Sequence, residues 1–312
     1  MENIVQEIEK AYGFKIETFK PAPRGFVAET FCLATDKGKF FIKIINNQRF
    51  VNKRYIENMP HSLSVQSKIA EHLDYIPPPI KTINGEFLWT SSNNKAISLY
   101  IYIEGSPNTT DNSGNPHGAE SDFTKIVPLA AEIYKLKIPC DVSEKFSFWL
   151  QTEFESFING DISLSNEVLI YINRHRTFIE DKWGDYERIC ERLSGASNGF
   201  YITHGDIPGN LMTGRNKKLY IVDWDDVKLA PIERDFWEYM DAAANIQKIA
   251  DILNDSGVTW TFNRDYYLYY LYTRFFDDLY GYIELDLMKT EDSHVCVKKI
   301  KTEVFDWLIP LM

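Results

Sequence analysis

The stretch from Tyr201 to Asp226, YITHGDIPGNLMTGRNKKLYIVDWDD, concentrates oxygen donors in an order that could do chemistry. Asp206 follows a short apolar run, Asn210 comes four residues later, and Asp223 ends the next apolar run. A β-hairpin turning through Gly214 and Asn216 would bring the two strand ends together. Asp206, Asn210 and Asp223 would then surround one small volume. Two carboxylates and an amide oxygen are hard donors, the set Mg2+ prefers, and magnesium so held usually also meets phosphate oxygens. A carboxylate left off the metal could orient a substrate hydroxyl and accept its proton. The plainer reading is a set of solvated loop aspartates.

Lys43, in Lys39-Phe40-Phe41-Ile42-Lys43-Ile44-Ile45, is a second candidate. Strand alternation puts it on the face of Phe41 and Ile45. A lysine among apolar neighbours is costly to bury without an anion. The alternative is a lysine pointing outward on an edge strand, where it discourages aggregation.

These residues need a scaffold, and the pattern of the chain supplies one. Ile4, Val5, Ile8 and Tyr12 form a helical stripe. Phe26 to Ala34 and Lys39 to Ile45 read as strands joined by the turn Thr35-Asp36-Lys37-Gly38. His61 to Leu73 has helical spacing, stopped by Pro77-Pro78-Pro79. Gly85 to Thr90 and Ala96 to Ile103 read as strands, and Gly105 to Asp122 as a loop. Helical patterns dominate beyond it, near 123–137, 145–158, 165–194, 236–254, 263–287 and 293–308, with a β island at 200–223. The expected fold class is α+β with two lobes: a small β-rich lobe over 1–104 and a larger, mainly helical one over 105–312.

Composition sets bounds on function. The 312 residues carry a net charge of −11 and are 44% hydrophobic, a globular balance. An excess of acid argues against a nucleic-acid partner and suits a cationic ligand. No apolar run approaches the roughly 20 residues that cross a bilayer. Met1-Glu2-Asn3 does not open a signal peptide, so no membrane partner and a cytoplasmic location are expected. Cys32, Cys140, Cys190 and Cys296 are scattered, which suits free thiols rather than a disulfide framework or a structural metal.

His204-Gly205-Asp206 with Asn210, followed by Asp223-Trp224-Asp225, resembles the aminoglycoside phosphotransferase family, which has the protein-kinase fold. The longer string IVDWDDVKLAPIERD, Ile221 to Asp235, is similar to the spectinomycin phosphotransferase branch. GEFLW at 85–89 leading into LYIYIEG at 99–105, and Tyr272-Thr273-Arg274 with Asp277-Asp278, fit that branch too. The resemblance implies an ATP- or GTP-dependent kinase that phosphorylates a hydroxyl of a small cationic aminocyclitol or aminoglycoside, an antibiotic-resistance activity. A kinase for a metabolite such as choline or homoserine, and a nucleotide binder without catalysis, are the alternatives.

Carried over by residue, the resemblance makes Asp206 the catalytic carboxylate, with His204 bracing its loop, and Asp223 and Asn210 the magnesium ligands. The family's pattern has four residues between that aspartate and the asparagine; here there are three, Ile207, Pro208 and Gly209, so the loop must follow a tighter path. Lys43 would reach the nucleotide phosphates, with a helix glutamate as its partner: Glu57 first, with Gln66 and Glu71 competing for that position. The adenine would dock on main-chain groups near Ile101 and Ile103, and Pro23-Arg24-Gly25-Phe26 would cover the phosphates.

For the acceptor, Trp224, Asp225, Arg274 and Asp278 are candidates. Seven tyrosines and five acidic residues between Asn263 and Leu287 could wall a cationic amino sugar. Arg274 and Asp278 could equally be a plain i, i+4 helix pair, and Trp224 plain core packing. Asp235 and Glu238 read as a capping box at a helix start.

Overall fold

A computed structural model describes residues 2–22, 28–46, 50–107, 123–160 and 164–312. The expected loop Pro23–Phe26 and most of the loop from Gly105 to Asp122 lie outside the described residues.

The chain opens with helix α1 (Glu2–Tyr12) and strands β1 (Ile16–Pro21), β2 (Ala28–Thr35) and β3 (Gly38–Asn46). Helix α2 (Phe50–Ala70) follows, then β4 (Pro79–Ile80), β5 (Leu88–Thr90), β6 (Lys95–Ile101) and β7 (Gly105–Pro107). The first six strands make one antiparallel sheet in the order β1-β2-β3-β6-β4, with β5 also on β6. The β2–β3 hairpin turns between Thr35 and Gly38, as the sequence predicts. Alternation along β3 splits its side chains between two faces. Ile42 and Ile44 join Ile8 and Tyr12 of α1, whereas Ile45 and Phe41 join Met59 and Leu63 of α2. Lys43 shares that second face.

Helix α2 starts eleven residues before the expected His61 and runs through Pro60. The helix gives up one backbone bond at Pro60. Burial of Met59 and Leu63 on the sheet, both fully inaccessible, offsets that loss.

Next come α3 (Phe123–Tyr134), α4 (Gln151–Ile158) and α5 (Asn166–Leu193). The β island resolves into β8 (Tyr201–Thr203), β9 (Leu211–Gly214) and β10 (Leu219–Ile221), and β11 (Lys228–Ala230) returns to pair with β8. β7 lies within the predicted loop and pairs with β9, its Gly105 opposite Gly214. A Cβ at Gly105 would sit 2.2 Å from the Thr213 carbonyl oxygen, so this pairing requires glycine.

The sequence reading divides the chain once, between 104 and 105. The compact units of the structure interleave instead: Met1–Ser143 with Tyr201–Ala230 and Asp251–Thr259, and Glu144–Phe200 with Pro231–Ala250 and Trp260–Met312. Strand pairing is the reason. β7 pairs with β9, and Ser143 bridges to Leu229 of β11, so the β island packs with the first 143 residues rather than with its sequence neighbours.

The second unit is helical, and Phe148, Phe154, Trp183, Tyr186 and Phe276 pack as an aromatic core. Its last segments are α6 (Glu233–Phe236), α7 (Ala243–Asp255, shared with the first unit), α8 (Arg264–Leu287) and α9 (Ser293–Lys299), which runs into a π-helical turn at Ile300–Phe305. The predicted helix over 236–254 is therefore broken, and Asp235 is buried inside α6 rather than capping a helix. Among the described residues, no helix is long and apolar enough to cross a membrane.

Glu233, in α6, is 1% exposed. Its Oε1 accepts from the Asn263 N–H at 2.8 Å and from the Trp260 indole at 3.2 Å. Burial nonetheless pushes the carboxyl up to about 7. The folded state thus holds a proton that the unfolded chain releases, and stability falls as pH rises from about 4.5 to about 7. Glu233→Gln keeps the accepting oxygen and removes the buried charge. Thermal melts between pH 5 and 8 should show the variant flatter, and more stable at pH 8 by up to roughly 3 kcal/mol. An unchanged pH profile would contradict this.

Candidate active site

The site builds from the strand ends of the first unit. After β8 the chain runs through His204 and Gly205 to Asp206 and then turns tightly. The Asn210 N–H donates to the Ile207 carbonyl at 3.0 Å, closing the three-residue loop. The Asn210 amide nitrogen donates to the Asp206 carbonyl at 2.8 Å. Because the nitrogen faces a carbonyl, the amide oxygen is left as the outward acceptor. His204 braces this turn from both ring nitrogens. Nδ1 accepts from the Asp206 N–H at 3.2 Å, which leaves Nε2 to donate to the Val222 carbonyl at 2.8 Å. One ring thereby ties the Asp206 loop to the residue that follows β10.

The Asp206 carboxylate makes no hydrogen bond to any described residue, and Gly209 lies directly against it. A Cβ on Gly209 would stand 2.9 Å from Asp206 Oδ1 and 3.2 Å from Oδ2. Gly209 therefore makes room for that carboxylate, a role the motif spacing alone does not reveal.

Asp223 follows β10 with a left-handed φ of 67°. This conformation turns the chain sharply, and its carboxylate ion-pairs with Lys43. Lys43 also pairs with Asp225 at 2.8 Å. The lysine side chain is 7% exposed and β3 is an interior strand, so the edge-strand reading fails. Burial works to lower the Lys43 ammonium, but the two carboxylates outweigh it and hold it above its usual range. At Asp223 burial works upward, and the Lys43 charge and hydrogen bond overcome it to hold the carboxyl low. At Asp225 burial prevails over the pull of Lys43, and the carboxyl rises to about 6. Asp223 and the Asn210 amide oxygen are hard donors suited to a divalent cation.

No family model and no curated protein matches this sequence. Solved structures do match. A spectinomycin phosphotransferase crystallised with ADP and spectinomycin superposes with a TM-score of 0.72 at 18% identity, over 99% of this chain and 96% of that one. A choline kinase from Streptococcus pneumoniae gives 0.61 at 12% identity, over 99% and 98%. An amicoumacin kinase in complex with AMP-PNP, Ca2+ and Ami gives 0.56 at 11%, over 97% and 93%. The chain has a protein-kinase-like fold.

Within this kinase-like fold several expected residues take other positions. Glu57 is exposed on α2 and is not among the partners of Lys43; Asp225 stands there instead. Gln66 is buried but donates to the Pro77 carbonyl at 2.6 Å, and Glu71 is exposed. Trp224 is fully buried, its indole donating to the Ile221 carbonyl at 2.9 Å and its ring edge-on to His204. It is a packing residue rather than an acceptor contact. Asp225 is likewise withdrawn from solvent and faces Lys43 and Tyr100, which corrects its reading as an acceptor group.

Arg274 and Asp278 belong to the second unit and form an i, i+4 pair on α8 at 2.8 Å. Asp277 of that helix accepts from the Trp149 indole at 2.7 Å, so part of the expected acidic wall is engaged in internal bonds.

Ile101 ends β6 with 46% of its surface exposed. The Tyr102 N–H donates to the Lys39 carbonyl, and the Ile103 N–H bonds to no described residue. Sequence reasoning missed Asn58 and Ser62 on α2. Asn58 donates to Asp226 at 3.2 Å, and the Ser62 hydroxyl accepts from the Val227 N–H at 3.1 Å. Two polar residues spaced four apart on a helix were the available signal.

Proposed function

We propose that this protein belongs to the aminoglycoside phosphotransferase family and transfers a phosphoryl group from ATP or GTP to a hydroxyl of a small cationic acceptor. A spectinomycin-like aminocyclitol is the first choice. The carrying observation is the meeting of Lys43 with Asp223, 180 residues later in the chain, beside a loop whose Asp206 carboxylate has no hydrogen-bond partner among the described residues. A buried lysine facing a half-exposed carboxylate is a ready seat for nucleotide phosphates and their counter-cation. The fold likeness to kinases crystallised with ADP or AMP-PNP supports the same reading.

In this mechanism Asp206 orients the acceptor hydroxyl and takes its proton. Lys43 contacts the phosphates, and His204 keeps the Asp206 loop in register with Asp223. Magnesium, held by Asp223 and Asn210, would offset charge on the transferring group. The main-chain groups of Ile101 and Ile103 would receive the adenine. The protein's part is mostly positioning and charge stabilisation.

The test is magnesium-dependent ADP release, with and without spectinomycin, a panel of aminoglycosides, choline and homoserine. Stimulation by an aminocyclitol supports the first reading. Stimulation by choline alone would move the acceptor to a metabolite, a second reading that the choline kinase likeness favours. No stimulation, with nucleotide bound, would favour the silent binder.

Gly209→Ala tests the geometry. Its added methyl must displace the Asp206 carboxylate, so turnover should fall about 100-fold while nucleotide affinity stays unchanged. Full turnover would remove Gly209 from the site.

A further inference from the structure

We propose that Asp225 is the standing counter-ion of Lys43, holding that lysine toward the nucleotide phosphates while Asp223 is released to the metal. The proposal rests on the kinase reading above and assigns to Asp225 the positioning role that the sequence offered to Glu57.

The two carboxylates on Lys43 differ in kind. Asp223 keeps 44% of its side-chain surface and Asp225 only 9%. Asp225 is held on both sides: one oxygen takes Lys43 Nζ at 2.8 Å, and the other accepts from the Tyr100 hydroxyl at 3.4 Å. Tyr100 is on β6, directly beside β3, where Phe41 is its register partner and Lys43 pairs with Ser98. Lys43 Nζ also lies 5.5 Å from the Tyr100 ring centre. Asp225 is thus anchored to the strand pair that carries the lysine.

Its backbone is held equally firmly. Trp224 is locked in the core before it, and after it Asp226 and Val227 bond to Asn58 and Ser62 of α2. Asp223, by contrast, is the exposed member of the pair.

A buried ammonium needs an anion at every stage of a reaction cycle. When a metal takes Asp223, the lysine loses one partner. Asp225 can stay, because it is too enclosed to reach solvent or acceptor. Among the described residues, no other carboxylate pairs with Lys43. Asp225 touches neither phosphate nor acceptor in this account and acts through Lys43.

Dissociation constants for Mg–ATP, measured by titration calorimetry without any acceptor, test the proposal in the full-length protein. Asp225→Asn should weaken binding about tenfold or more, Asp225→Glu should recover most of that loss, and Glu57→Gln should stay within about twofold of wild type. Lys43→Met with Asp225→Asn should bind no more weakly than Lys43→Met alone, because the two act as one unit. Where an acceptor is known, Asp225→Asn should raise the KM for ATP and leave that for the acceptor unchanged.

Unchanged affinity in Asp225→Asn, additive losses in the double variant, or a larger effect from Glu57→Gln would overturn the proposal. A raised acceptor KM with normal ATP affinity would return Asp225 to the acceptor side. If Asp225→Asn alone does not fold, Asp225→Glu and the double variant, which removes both charges together, decide. A wild-type protein that binds Mg–ATP but phosphorylates nothing on the panel fails the transfer reaction only, and the affinities still judge Asp225. A wild-type protein that binds no nucleotide overturns both.

Discussion

Replacing Asp206 with alanine is expected to lower phosphoryl transfer about 10³- to 10⁴-fold, or roughly 4–5.5 kcal/mol in barrier height. Mg–ATP affinity should be unchanged. The asymmetry follows from the geometry. The Asp206 carboxylate bonds to no described residue, so removing it breaks no hydrogen bond among them. The main-chain bonds that hold the loop, from the Asp206 N–H to His204 and from Asn210 to the Asp206 carbonyl, survive the substitution. Melting temperature should therefore hold within a few degrees. Steady-state ADP release with the best acceptor, together with calorimetric titration of Mg–ATP, checks both halves. Normal turnover in Asp206→Ala would sink the assignment of that carboxylate as the base.

The second large effect is expected at Asp223, in the opposite pattern. Asp223→Asn should weaken Mg–ATP binding about 100-fold and raise the magnesium concentration needed for half-maximal activity. A neutral amide is a poorer ligand for a hard dication than a carboxylate. The substitution also leaves Lys43 with Asp225 as its one charged partner among the described residues. Binding of ATP without magnesium should change far less. Asp223 is 44% exposed, so unfolding should not obscure the result. A titration of affinity against magnesium is the measurement, and identical curves for variant and wild type would remove Asp223 from the metal site.

Much of this arrangement was legible in the sequence because it is local. The His204-Gly205-Asp206 run, Asn210 and Asp223 flank the two ends of one hairpin, β9–β10, where chain length alone limits separation. The alternation of β3 likewise predicted that Lys43 would share a face with Phe41 and Ile45, and the packing follows it. Long, strongly patterned helices such as α5 and α8 fell within a residue of their expected bounds. The short β7 and β11 were missed. Strands of three residues carry no readable period, and pairing partners 105–109 and 25–29 residues away hold them in place.

By itself, then, the sequence determined which residue types could do the chemistry, the faces of the strands that carry them, and the local hairpin that gathers Asp206, Asn210 and Asp223. Tertiary structure alone decided which carboxylate answers Lys43. A helix glutamate looked right by family pattern, but Glu57 is left in solvent and Asp225 meets the lysine from across the unit. The reason is physical. Periodicity reports which face of an element turns inward, while the partner of a buried charge depends on where two distant elements come to rest. A buried ammonium takes the anion that arrives within hydrogen-bonding distance, whatever the separation along the chain.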